Sequence, residues 1–315
     1  MDSNGRIMYG YACINMGLRE EGIYTNRTLR KKTLLEKGYD YLSEIIVANL
    51  TDLVTIMHHN EQEGIRFFRL SSEIFPFWSH PEFGYNLEDL ADADAILSLL
   101  KEVGDFATAH NHRLSTHPGP FNVLASPSES VVAKAIIDLE CHSKMFDYMG
   151  FAPSPYNKIN IHVGGAYGEP KLALARFCEN FKRLSPNLQA RLTVENDDRA
   201  NLYSTLDLYN HVHKVIGIPI VFDYHHHIFN TGGQTEQEAL ELAISTWPSG
   251  ITPVVHYSES KTIHQGGDKA TPAHSDLVYG PIAFYGNKVD VMIEAKHKEK
   301  AIASLDKRVS LPIHE

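Results

Sequence analysis

Short, mostly apolar runs recur along the chain, each a few residues long and most ending at or beside a polar or charged residue. They read IMYGYA (7–12), IRFFRLS (65–71), RLSTH (113–117), KINIHV (158–163), RLTVEN (191–196), IPIVFD (218–223), TPVVHY (252–257) and VDVMIE (289–294). Their length and content of β-branched residues predict strands. Between them the apolar spacing changes to three and four. In 36–63, Leu42, Ile45, Ile46, Leu50, Leu53 and Ile56 fall on one helical face. Segments 87–110, 127–149, 170–184, 204–215 and 235–246 follow the same period. Two helix starts are legible. Ser126 is expected as an N-cap with Pro127 next and Glu129 closing a capping box, and Thr235 with Glu238 repeats that pattern.

Strand and helix thus alternate through eight units with no break in composition. This predicts a single α/β domain over 1–315, a (β/α)8 TIM barrel. An open doubly wound sheet is the rival, and the first strand is not followed by the GxGxxG turn that would favour it. Segment 258–280 is long, polar and rich in Gly, His, Asp and Ser. In a barrel it becomes a functional loop at the catalytic face.

Composition narrows the function. The chain has 29 Lys+Arg against 39 Asp+Glu, a formal charge of −10, which argues against a basic nucleic-acid-binding body. Its 18 histidines instead favour metal ligation or acid–base chemistry. Cys13, Cys141 and Cys178 form no CxxC pair, so a disulfide framework or thiolate zinc site is not expected. No apolar run reaches membrane-spanning length, and MDSNGR carries no apolar stretch. A reducing, cytoplasmic setting without signal peptide or membrane contact is expected.

The strand ends carry the chemistry. Strands three to eight end at or beside His117, His162, Glu195, Asp223, His256 and Glu294. One histidine at a strand end is usually a hydrogen-bonded rim residue. Six such groups at the same point of six units converge on the face where barrels build active sites. Further candidate ligands lie in the loops: His80 in FPFWSHP, His226 three residues after Asp223, and His274. Imidazole mixed with carboxylate suits Zn²⁺ or Mn²⁺. These nine groups exceed the needs of one ion. Two or three clustered ions would suit an anionic substrate undergoing phosphoryl displacement.

The motifs YGYACIN, NRTLR (26–30), FPFWSHP, STHPG (115–119), HVGGAYG (162–168), TVENDD (193–198), VFDYHHH and MIEAKHKE (292–299) together resemble the UV damage endonucleases, which share their barrel and metal layout with endonuclease IV. The resemblance implies a DNA repair enzyme that nicks the backbone immediately 5′ of UV photoproducts, leaving a 3′-hydroxyl and a 5′-phosphate. It implies divalent metals, manganese first, with zinc or magnesium as alternatives. The implied ligands are His80, His117, His162, Glu195, Asp223, His226, His256, His274 and Glu294. Glu195 would bridge, and Asp223 and Glu294 would hold the nucleophile; these three are the implied catalytic groups. Tyr11, Asn15, Pro120 and Phe121 match regions that probe damaged double-stranded DNA, and Arg27 and Arg30 are candidates for its phosphates. Two positions depart from the pattern. Pro120 stands where relatives often have glutamine, and Val254 where some have a lysine near the metals. The alternatives are a metal-dependent sugar isomerase or epimerase on a similar barrel, an apurinic-site endonuclease, and a non-enzymatic metal or DNA scaffold. A monomer is the default expectation.

Overall fold

In a computed structural model that describes residues 7–309, eight parallel strands close into a barrel in sequence order. They are β1 (Tyr9–Ala12), β2 (Phe67–Leu70), β3 (Arg113–Thr116), β4 (Ile159–Ile161), β5 (Leu192–Glu195), β6 (Ile220–Asp223), β7 (Val254–Tyr257) and β8 (Asp290–Ile293), with β8 pairing back onto β1. The expected (β/α)8 architecture is therefore the observed one. The ends of the chain, including MDSNGR and His314, lie outside the described residues.

The helices are α1 (Met16–Glu20), α2 (Lys31–Gln62), α3 (Ala93–Ala109), α4 (Glu129–Tyr148), α5 (Pro170–Phe181), α6 (Pro186–Arg191), α7 (Thr205–Leu208), α8 (Lys214–Ile216), α9 (Tyr224–Phe229), α10 (Glu236–Ile244), α11 (Lys261–His264) and α12 (Glu299–Val309). Several boundaries differ from the periodic reading. α2 begins earlier than expected and is broken at Gly38, whose φ of 75° leaves the helical region. The 87–110 segment opens with a single 3₁₀ turn before α3 begins. α4 is entered from Ser128, not Ser126; Ser126 Oγ accepts from the Ser128 amide, a turn ahead of the helix. The Thr235–Glu238 capping box is present. Among the described residues no helix is long and apolar enough to cross a membrane.

Every strand splits its side chains by parity, because successive residues of a strand face opposite sides. Tyr11, Phe68, Leu114, Ile159, Ile161, Leu192, Val194, Ile220, Phe222, Val255, Val291 and Ile293 join the shell packed against the helices. The opposite parity fills the barrel. Met8, Ala12, Phe67, Val221, Val254 and Met292 form an apolar layer there with Trp247. Buried polar groups lie on either side of it in the strands: Arg113 and Asp290 at the amino ends, and Asn160, Thr193, Glu195, Asp223 and His256 toward the carboxyl ends.

Candidate metal centre

At the carboxyl end of the barrel, Glu195 closes β5 and is almost wholly buried. Its Oε2 lies 3.2 Å from His117 Nε2, 3.1 Å from His256 Nδ1 and 4.0 Å from His162 Nε2. Its Oε1 lies 3.4 Å from His226 Nδ1. Asn160, the inward residue of β4, donates to Glu195 Oε2 and accepts from Thr193 Oγ1 at 2.8 Å. Asp223 closes β6 in register with His256 of β7. Its Oδ1 accepts from the His226 amide at 2.7 Å, so one short helix start aims both groups inward. Asn196 brackets that strand end, donating to the Asp223 carbonyl and accepting from its amide. Glu294, just after β8, pairs with Arg69 of β2 and lies 3.3 Å from His256 Nδ1.

Two sets of ligand atoms lie within 4.8 Å of one another: His117, His162 and Glu195 form one, Glu195, Asp223 and His256 the other. Glu195 belongs to both. Of the sequence-derived ligands, His226 and Glu294 also touch this cluster. His274 stands at its edge, where its Nδ1 is 2.6 Å from Ser258 Oγ and its ring is 5.3 Å from that of His225. His80 stands apart. Its ring packs against Phe77 and Phe83, its Nδ1 accepts from the amides of Glu82 and Phe83, and among the described residues no hydrogen bond, ion pair or ring contact joins it to the cluster.

The electrostatics are those of an excess of ligand groups. Against the burial that would raise it, His256 and His162 hold the Glu195 carboxyl well below the ordinary range. Burial pushes Asp223 up to about 8, with the neighbouring Glu195 and Glu294 charges adding to the rise. His162 and His226 resist the effect of burial; Glu195 raises the first to about 10, and Asp223 the second to about 9. Burial lowers His256 to about 4. His162 and His226 thus favour their charged forms beside the carboxylates. Asp223 Oδ2, His162 Nδ1 and His256 Nδ1 remain buried without a well-aligned hydrogen bond, although the two imidazole nitrogens lie close to carboxylate oxygens. Buried polar atoms are rarely left so. Nitrogen and oxygen donors, orphaned lone pairs and buried carboxylates together fit divalent cations.

Three contacts here were not anticipated. Arg69 is committed to Glu294. Lys158 is fully buried and its Nζ lies 3.2 Å from His256 Nε2; burial lowers its ammonium to about 7. Val254 lies in the apolar interior layer, so the amine that approaches His256 comes from the β4 side. Asp197 places Oδ1 3.2 Å from His162 Nδ1. The signal for Lys158 is its parity: in KINIHV it alternates with Ile159 and Ile161 on the same face as Asn160 and His162.

The site opens into a cavity of about 730 Å³, lined among others by His117, Pro120, His162, Tyr167, Glu195, Arg199, His226 and Glu294. The expected DNA contacts divide there. Pro120 lines this cavity, and Phe121 beside it is 65% exposed. Tyr11 and Asn15 correct the expectation. Tyr11 is fully buried and donates its hydroxyl to Asn60 Oδ1; Asn15 is 2% exposed, donates to Tyr11 Oη and caps α1. Neither presents a face to a duplex. Arg27 is held by Asp52 and by the Tyr24 carbonyl, whereas Arg30, at the start of α2, is exposed.

Comparison with known proteins agrees with this geometry. The family model for UV-endonuclease UvdE matches residues 7–313. The UV-damage endonuclease of Schizosaccharomyces pombe is 38% identical over 96% of this chain, which spans 50% of that longer protein. The UV DNA damage endonuclease of Bacillus pumilus is 33% identical, over 97% of this chain and 94% of its own length. The crystal structure of SacUVDE superposes with a TM-score of 0.81 at 31% identity, covering 97% of this chain and 100% of that one. A 3-keto-D-glucoside 4-epimerase from E. coli matches at a TM-score of 0.56 and 9% identity, a likeness of fold alone. The chain belongs to the UV-endonuclease UvdE family.

Proposed function

We propose that this chain is a metal-dependent DNA repair endonuclease that cuts the backbone immediately 5′ of a UV photoproduct, leaving a 3′-hydroxyl and a 5′-phosphate. The observation that carries this reading is the shared Glu195 between two sets of potential ligands, in a chain of this family. The cofactor is two or three divalent ions, manganese first and zinc or magnesium as alternatives. The substrate is damaged double-stranded DNA, and the protein acts as a monomer.

Divalent ions held by His117, His162, Glu195, Asp223 and His256 would supply positive charge to the phosphodiester and lower the pKa of a water. The chain's own residues do the rest. Asn160 fixes the Glu195 carboxylate so that its two oxygens face different sets of imidazoles. Arg69 holds Glu294 ionised against the burial that would protonate it. Asp223, whose second buried oxygen has no hydrogen bond within the described chain, is placed beside Glu195 and His256 to hold an ion and so help position the nucleophile. Pro120 and the exposed Phe121 ring meet the duplex, where an apolar side chain wedges between base steps. Arg30 offers charge to a phosphate. Undamaged DNA resists because unstacking costs a few kcal/mol, least at a lesion.

The test is cleavage of an end-labelled duplex carrying one defined photoproduct, with and without Mn²⁺. A single cut 5′ of the lesion, dependent on metal and absent from undamaged duplex, is expected. The absence of any lesion-dependent cut would end this reading.

A further inference from the structure

The loop after β4 carries a backbone feature that the proposed chemistry does not use. The Glu169 amide donates to the Ala166 carbonyl at 2.9 Å, which closes a four-residue turn. Its two central residues, Tyr167 and Gly168, have φ of 52° and 76°. Left-handed backbone at both central positions marks a type I′ turn, whose preferred residues are Asn, Asp and Gly. A tyrosine there is disfavoured, because its Cβ crowds the backbone. Strained residues persist where the surroundings hold them and cluster at functional sites.

What the strain achieves is visible in the ring. The Tyr167 ring lies over Gly165, where an added Cβ would come within 3.2 Å of it. The Arg176 guanidinium, tethered to the Ala125 carbonyl, stands 5.6 Å from the ring centroid. Gly164 sits so close to Val123 that a side chain there would clash, so the loops after β3 and β4 are tightly mated. These contacts hold a large aromatic ring 47% exposed in the wall of the cavity that contains His162 and Glu195. On the mated loop, Phe121 offers a second exposed ring.

We propose that Tyr167 is a substrate contact that stacks on an unpaired base of the DNA strand being cut. A phosphodiester held at the carboxylate–imidazole cluster brings its own bases to the cavity wall. A fixed, half-exposed aromatic face is the chemistry that binds a base without reading its sequence. This inference rests on the nuclease reading above, and its test is arranged to separate the two.

The experiment compares wild type with Tyr167→Asn and Tyr167→Phe, all supplied with Mn²⁺. It measures the Kd for a photoproduct duplex by fluorescence anisotropy, the KM and kcat for nicking, and the Tm. Tyr167→Asn places a favoured residue in the turn and removes the ring. Its Tm is expected to equal or exceed that of wild type. Its Kd and KM are expected to rise about tenfold, the size of one lost base–aromatic stack, with kcat within about twofold. Tyr167→Phe keeps the ring and is expected to stay within about twofold of wild type throughout. An asparagine variant that binds as tightly as wild type overturns the inference, as does a phenylalanine variant as weak as the asparagine one. A wild type that binds the lesion without cutting it ends the nuclease reading and leaves the stacking contact to be decided by Kd alone. A wild type that does not bind lesion duplex overturns both.

Discussion

Both ends of the barrel bury charge, and they treat it in opposite ways. At the amino end, Arg113 and Asp290 are completely buried as a pair 2.9 Å apart. Arg113 Nε donates to the Tyr156 carbonyl, Nη1 to the Thr252 carbonyl and to Asp290, and Nη2 to the Pro155 carbonyl. The other Asp290 oxygen accepts from the Met8 amide. Donors and acceptors are matched within the chain. At the carboxyl end Glu195, Asp223 and Glu294 share one space with four imidazoles, and several buried atoms there lack a well-aligned hydrogen bond. A charged cluster that satisfies itself is architecture. One that leaves its lone pairs open is a binding site, and the two differ less in composition than in this accounting.

The comparison can be broken at either end. The largest effect is expected for Glu195→Gln: nicking slowed on the order of ten-thousandfold, ~5.5 kcal/mol of transition-state stabilisation. Its Tm should be at or somewhat below that of wild type, because the imidazoles that hold Glu195 ionised lose their partner. Wild-type rates from this variant would reduce the upper cluster to architecture. Next is Arg113→Met, which takes the guanidinium from the buried Asp290 carboxylate; urea unfolding should show a loss of about 3–5 kcal/mol. Nicking per folded molecule should be unchanged. Most of that stability should return in Arg113→Met combined with Asp290→Leu, and a single variant as stable as wild type would contradict the pairing argument.

A third effect is cation binding at the carboxyl end alone. Mn²⁺ at about a hundred times its Kd should stabilise the wild type by about 2.7 kcal/mol, reversed by a chelator. Arg113→Met should gain the same increment, and Glu195→Gln much less. Equal gains in all three proteins would place the ion elsewhere.

The smallest effect is at the amino end. The Arg66 guanidinium, with help from His112, holds Glu61 down to about 2 from an ordinary 4.5. The folded state therefore gains stability from ionised Glu61 above pH 4.5 and loses it as the pH falls toward 2. Allowing for partial exposure, the gain is roughly 2 kcal/mol. Glu61→Gln should flatten that part of the acid-unfolding curve; an unaltered slope would show that Arg66 gives Glu61 no net support.

The same contrast explains what could be read from sequence. Strands, helices and the groups at the strand ends were legible because they follow periods of two and between three and four. His117, His162, Glu195, Asp223 and His256 needed only the strand phase to be placed on one face. Lys158, Asn160 and the Arg69–Glu294 pair did not emerge. A polar residue inside an apolar run looks like an interruption until the barrel closes and its partner arrives from another strand. Tyr11 and Asn15 failed for the converse reason. Their burial is set by Asn60 on α2, 49 positions from Tyr11, and no local pattern reports that. His80 matches its motif, yet its ring is engaged by its own loop. Ser126 resembles a cap, but the turn before α4 consumes its hydroxyl.

The parity of the strands carries one more consequence. Val194 and Glu195 are adjacent on β5, one packed against the helices and the other in the site. A slip of one residue in the ladder would exchange them, driving a carboxylate into the apolar shell and emptying the centre of the cluster. The neighbours Phe222, Val255 and Ile293 hold β6, β7 and β8 in the same phase. These side chains touch no substrate, yet they act as the ruler of the reaction. A single-residue deletion within one of these strands should therefore erase chemistry and stability together, whereas a deletion in an outer loop need cost neither.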